Sequence, residues 1–380
     1  MALLLNKKLE ELRQQTADFA ALELGSGKDL ADLNEFPFEL WRKMADYKMM
    51  GLGIPDEYQG CGGNYLSMAV AGEAFVKYGQ NFGMLLSWFI HLFIARFVIL
   101  KFGNNKQRNT LLPKFAKGEI TASLAISEPG TGSHPKYLKT SARLINDVYE
   151  LSGEKTYLTN GSIADFFIVF AITNIENNRK GITGFIIPKD LKGLEITKKI
   201  NLDFMRPSPH CSIRLDNCII SKANIIGSEN SAFEKIIKPF RELEDTLLMG
   251  PIAGGLAAQM NILLASKSNA LTSEFDKQIG HYQALIDTLR IMAYEAAAMI
   301  DSDKSHSEHL SLLLTFRFIA KKAQQVFKNI VSKTKITENS LLGSLTNDLD
   351  HAIKLAGNTA DIKKKKLGEG IRKSVIYGRK

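Results

Sequence analysis

At 380 residues with 45% apolar side chains, the chain is too apolar for a disordered protein and long enough for two or three domains. Its formal charge of +9 asks for an anionic partner or a solvated basic face, but neither zinc-finger spacing nor an RNA-binding aromatic signature accompanies it, and nucleic acid is not an expected partner. Cys61, Cys211 and Cys218 lie far apart without CxxC spacing, so no disulfide framework or zinc site is expected, and a reducing cytoplasm is the expected location.

Residues 1–120 read as helical. The opening MALLLNKKLEELRQQ turns amphipathic after a very short apolar stretch, unlike a secretory signal. FPFELWRKMADYKMMGLG puts Leu40, Met44 and Tyr47 at helical spacing and stops at glycines, and NYLSMAVAGEAFVKYGQ follows the Gly-rich break PDEYQGCGGN. LLSWFIHLFIARFVIL, residues 85–100, is interrupted by His91 and Arg96 and falls short of the ~18 residues of a membrane helix. It reads as a buried core helix, and no transmembrane segment is expected. Between 121 and 228 the period changes: YELSGEKTYLTNG, DFFIVFAIT, GITGFIIP, LEITKKI and CSIRLDNCII are β-branched and aromatic runs parted by Gly, Asn, Pro or Asp, predicting an antiparallel sheet or barrel. Helical period returns afterwards, with segments at 235–265, 276–301, 305–334 and 347–374 that suffice for a bundle. Helices, then strands, then helices make an α+β chain of three units, 1–120, 121–228 and 229–380, rather than an alternating βαβ fold.

Two short motifs carry no chemistry. LGSGKD lacks the first glycine and the final hydroxyl of a phosphate loop. HSEH, 306–309, offers two histidines with no third ligand, so no metal is expected. The stretch SLAISEPGTGSH, 123–134, is different. A Pro-Gly turn needs none of its four hydroxyls, and donors gathered at a strand end suit a flat polar group or a phosphate. GEKTYLTNGSIADFFIVFA repeats the pattern at a second strand end. Two such loops can hydrogen-bond a planar heterocycle by its edge while Tyr157 covers a face.

FPFELWRKMADYKMMGLGIPDEYQGCGGNYL, KFGNNKQRNTLLPKFAKGEITASLAISEPGTGSH, GEKTYLTNGSIADFF and MRPSPHCSIRLDNCIISKANIIG stand in the order and near the spacing of acyl-CoA dehydrogenases, which the chain resembles over residues 30–300. The resemblance implies an N-terminal helical domain, a middle antiparallel β-barrel, a C-terminal four-helix bundle, FAD between barrel and bundle, and a homodimer or homotetramer. It also implies the reaction. A carboxylate removes the α-proton of an acyl-CoA or acyl-carrier thioester, the β-hydride passes to flavin, and an electron-transfer flavoprotein takes the electrons. Because the α-proton is weakly acidic, that base must be desolvated beside the thioester. By position, Ser127, Thr131 and Thr159 would contact the flavin ring and Tyr157 would lie against it. Gln283 and Thr359 join the cofactor set, and Ser133 faces the phosphopantetheine arm.

Most of the family carries its base in a late YEGT segment; the matching LAGNTADI has Gly357 there. The isovaleryl- and long-chain types carry it on an earlier helix, and RELEDTLLMGPIAGG places Glu244 at that position. Other motifs depart from the family. TSEFD has Thr272 and Asp276 where an Arg motif meets the FAD pyrophosphate, QQVFKNIVS has Lys328 and Asn329 in place of glycines, Asp245 replaces the Arg after the base, and His134 replaces the acid of GSD. Two readings therefore stand: a flavin-dependent dehydrogenase with Glu244 as base, and a catalytically degenerate relative that binds a thioester or a protein. The basic end, IKKKKLGEGIRKSVIYGRK, fits a solvated helix face, coenzyme A, an acidic carrier protein or a membrane surface.

Overall fold

The computed structural model of the chain describes residues 5–25, 28–33, 35–130, 137–266, 273–302, 306–334, 340–355 and 357–377. Along it run α1 (Lys7–Glu23), α2 (Lys28–Ala31), α3 (Phe38–Asp46), α4 (Tyr65–Gly79), α5 (Phe82–Phe93), α6 (Leu100–Phe102) and α7 (Asn105–Ala116). The strands are β1 (Ala122–Ala125), β2 (Ser141–Ile145), β3 (Val148–Thr159), β4 (Phe166–Glu176), β5 (Arg179–Pro188), β6 (Leu194–Ile200), β7 (His210–Ser221) and β8 (Ile225–Ile226). Helices resume with α8 (Lys238–Leu247), α9 (Met249–Ala265), α10 (Asp276–Asp301), α11 (His306–Thr334), α12 (Ser340–Lys354) and α13 (Gly357–Tyr377). The backbone divides into two compact units, one of Met1–Asp32, Asn64–Leu85 and Leu243–Lys380, the other of Leu33–Gly63 and Leu86–Glu242.

In the helical unit, α4 begins with a capping box: Ser67 N–H donates to Asn64 Oδ1 at 2.9 Å and Asn64 N–H to Ser67 Oγ at 3.2 Å. The two N–H groups between them, of Tyr65 and Leu66, donate to the Asp301 carboxylate at 3.0 and 2.9 Å, so the end of α10 caps the start of α4. Helix α9 meets α4 through glycines one turn apart. A Cβ on Gly250 would stand 2.4 Å from the Ala69 carbonyl oxygen, and one on Gly254 2.2 Å from that of Glu73. Glu73 is itself buried, its carboxylate held by Arg13 Nε at 3.4 Å and the Tyr294 hydroxyl at 3.3 Å. The segment expected at 347–374 is divided between α12 and α13.

The sheet unit corrects one expectation. Its eight strands form an open sheet, order β6-β7-β3-β2-β4-β5-β8 with β1 beside β4, and not a closed antiparallel barrel. β1 pairs with β4 in parallel, as does the first residue of β2, Ser141. Closure would require β8 to pair with β6, and β8 is only two residues long. Alternating burial along β7 puts Cys211, Ile213, Leu215, Cys218 and Ile220 into a core shared with Phe167, Val169 and Phe185. Beside the sheet, Arg96 donates to the carbonyls of Gly53 (2.8 Å) and Gly63 (3.1 Å), pinning the Gly-rich break at both ends. His91 is fully buried; desolvation lowers its pKa to about 4, against a bond from its Nε2 to the Phe115 carbonyl (3.0 Å).

The expectation that no stretch is long and apolar enough for a membrane span is also corrected. Phe82–Phe102 and Phe233–Ala265 meet that length and composition, because each helix continues past its charged residues, and 89% and 83% of their apolar windows are buried within the fold.

The glycine contacts make a direct prediction. Gly254→Ala should lower stability by about 1–3 kcal/mol through overpacking against the α4 backbone. Gly280→Ala, where a Cβ meets nothing within 4 Å on α10, should be neutral or stabilising, read as opposite shifts of the urea midpoint.

Candidate functional site

The end of β1 and the end of β3 form one edge of the sheet. Ser127 follows β1, and its carbonyl accepts the Thr156 N–H at 2.9 Å, so the two hydroxyl-rich segments are joined backbone to backbone. The pairing of β3 with β7 slips between Lys155 and Leu158, and within this bulge Tyr157 takes φ +57°. A bulky residue in the left-handed region is strained. Its ring stands 62% exposed, where a flat ligand can cover it.

What fixes this edge is a buried ion pair. Lys155 is 0% exposed and Glu128 4% exposed, with Lys155 Nζ 2.8 Å from Glu128 Oε1. Glu128 also accepts the N–H groups of Lys139 (2.7 Å) and Thr140 (3.0 Å), while Lys155 donates to the Ile126 carbonyl at 3.3 Å. Burial alone would raise the Glu128 pKa; Lys155 and these donors bring it below the ordinary carboxylate value. A carboxyl depressed in the fold stabilises it above its unfolded pKa, and that contribution is lost as pH falls through the folded pKa. The edge is therefore acid-sensitive; burial also lowers the Lys155 pKa, with Glu128 opposing the shift.

Thr159 Oγ1 lies 3.1 Å from His210 Nε2, and His210 Nδ1 lies 3.0 Å from the Ser208 carbonyl. Only a donor can meet that carbonyl, so Nδ1 carries the proton. Burial lowers the His210 pKa, though the Ser208 bond opposes it, and the neutral ring leaves Nε2 as acceptor. Thr159 thus donates to His210 and keeps its lone pairs for an N–H of a ligand. Next to it, Asn160 Oδ1 is buried with no partner among the described residues, although its Nδ2 donates to the Ser87 carbonyl at 2.8 Å. An exposed aromatic face and an acceptor hydroxyl along one edge fit the donor and acceptor pattern of a flavin ring.

The remaining expected residues fall elsewhere. Thr131, Ser133 and His134 lie outside the described residues, as does Thr272. Thr359 lies in the first turn of α13, its side chain outside the description, and Gln283 is exposed on α10. Glu244 lies on α8 in the helical unit, half-buried. Its neighbour Asp245 is not spare: Oδ1 accepts Arg317 of α11 at 3.0 Å and Oδ2 accepts Lys363 of α13. All three side chains are less than one-fifth exposed. Asp245 and Arg317 border a cavity of about 20 Å³, room for one water, and Arg317 Nη1 has no protein partner among the described residues. At the other altered motif, α11 runs as helix through QQVFKNIVS, and Lys328 pairs with Asp350. The Lys328–Asp350 pair is part-exposed, at 43% and 24%.

Lys155→Met should cost about 3–5 kcal/mol by stranding the buried Glu128 charge. Adding Glu128→Gln should recover much of that loss, measured by denaturant midpoint, and should recover flavin occupancy with it. Equal losses in the single and double variants would show that Lys155 acts only through its packing.

The acyl-CoA dehydrogenase N-terminal-domain model matches residues 6–119 and the middle-domain model residues 123–218. An acyl-CoA dehydrogenase of Bacillus subtilis (strain 168) is 32% identical over 223 residues, 58% of this chain and 58% of that protein. A short-chain-specific acyl-CoA dehydrogenase of Clostridium acetobutylicum is 30% identical over 310 residues, 77% of this chain and 79% of that one. Among solved structures, the prolyl acyl carrier protein oxidase AnaB superposes with TM-score 0.84 at 24% identity, over 97% of this chain and 100% of its own, a likeness of fold. Family members are FAD flavoproteins, oxidoreductases acting on CH–CH groups. With helical, sheet and helical regions in the family order and two family domains matched in succession, the chain belongs to the acyl-CoA dehydrogenase family.

Proposed function

We propose that the chain is a flavin-dependent α,β-dehydrogenase of an acyl thioester in which Glu244 removes the α-proton. The observation that carries this reading is the state of Asp245. Asp245 is engaged by Arg317 and Lys363 and so is not available as the base, which leaves Glu244 as the half-buried carboxylate at the family position. Gly357, at the start of α13, has no carboxylate to offer for the same task. FAD, when bound, supplies the hydride acceptor for the β-hydrogen. Ser127 and Thr159 hold the ring by its edge, and Tyr157 covers a face. Thr131, Ser133, Gln283 and Thr359 complete the cofactor and thioester contacts in this reading. An electron-transfer flavoprotein takes the electrons, the enzyme is a homodimer or homotetramer, and its three free thiols suit the cytoplasm.

A second reading, a binding module that has given up the reaction, is favoured by one observation. Helix α11 and the Lys328–Asp350 pair occupy the place of the glycine motif that lets backbone approach the dinucleotide. The two readings divide on the visible spectrum of the purified protein. A flavin band near full occupancy, bleached anaerobically by acyl-CoA, supports the dehydrogenase, and absence of the band even with added FAD supports the module.

Glu244→Gln should cut the rate of acyl-CoA-driven bleaching by about 10²–10⁴-fold while leaving acyl-CoA affinity within about threefold. Unchanged bleaching would place the base elsewhere.

A further inference from the structure

The charge of the chain is concentrated in two helices. α11 carries five Lys and Arg against one acid, and α13 carries six against two, so the pair holds +8 of the chain's +9. The two helices pack on one another and share an anchor, because Asp245 accepts Arg317 from α11 and Lys363 from α13. That anchor is the residue after Glu244. Lys321 and Lys322 are exposed on α11, with no acid beside either among the described residues. One turn before them Phe318 stands 73% exposed, the arrangement of an apolar anchor in a basic surround. On α13, Arg372 and Lys373 are exposed, and Lys364 meets Asp361 only in a surface pair, 65% and 91% exposed, which contributes little.

We propose that α11 and α13 form a docking surface for an acidic protein that carries the acyl group as a thioester, so that the substrate arrives on a protein. This rests on the dehydrogenase reading. Other occupants fit less well. A second copy docking by the same patch would set +8 against +8. A membrane-surface helix needs a broad apolar face, whereas Lys363, Lys364, Lys365 and Lys366 follow one another around more than half of α13.

The test is binding first and turnover second. An acidic acyl carrier protein bearing a butyryl thioester, fluorescently labelled, is titrated with the holoenzyme and with the Lys321→Glu/Lys322→Glu and Arg372→Glu/Lys373→Glu variants. Each variant should weaken binding at least about tenfold, and raising salt from about 50 to 300 mM should weaken wild-type binding by a similar factor. Turnover of free butyryl-CoA should stay within about twofold in both variants, which also shows that they fold. Carrier binding that is absent, or indifferent to both charge reversal and salt, overturns the proposal. So does wild-type protein that sediments with phosphatidylserine vesicles but not with the carrier, or a change of oligomeric state in the variants, which would make the face an interface between copies. If the carrier binds as described yet neither thioester bleaches flavin, the docking surface stands and the dehydrogenase reading falls.

Discussion

Burying a lysine beside a glutamate is costly unless both charges are well hydrogen-bonded, and Glu128 and Lys155 are held by more than one bond each. The carboxylate takes two backbone N–H groups and the ammonium, and the ammonium takes a carbonyl as well. These bonds tie the segment after β1 to the start of β2 and to the middle of β3. The exposed Tyr157 and the Thr159–His210 contact sit on what this pair holds still. A buried polar network of this kind favours one arrangement of the segments it joins.

Asp245 does the corresponding work in the helical unit with different chemistry. One carboxylate takes a guanidinium from α11 and an ammonium from α13, helices that carry nearly all the net charge of the chain. The same contact joins the basic helices to α8. A residue that looks, by sequence, like the loss of a family arginine is a junction in the structure.

Much of the architecture was legible because hydrophobic period is a local property. Runs such as DFFIVFAIT and CSIRLDNCII became β4 and β7, and α10 begins and ends where its pattern does. Barrel closure was not legible, since it depends on the length of the last strand, and β8 offers two residues. Nor was the division of 347–374, where the helical period runs on across the junction of α12 and α13. At the site, the hydroxyls of SEPG and of the GEKTYLT segment point to strand ends, where Ser127 and Thr159 lie. The charged residues inside those motifs carry the edge, but Glu128 and Lys155 are 27 positions apart and meet through a bulged strand that no spacing announces. By sequence Asp245 is only a missing arginine, because its two partners lie 72 and 118 residues away.

The open sheet has one further consequence. A sheet that does not close ends in a strand with an unpaired row of N–H and C=O groups, a template on which any passing extended chain can add itself. Here that terminal strand is β6, whose five middle residues are exposed and include Glu195, Lys198 and Lys199. Charge of both signs along the rim makes stacking another strand there unfavourable. The sequence LEITKKI thus acts as a guard against aggregation, and its lysines keep the molecule a discrete particle at the edge where the barrel would otherwise have sealed itself.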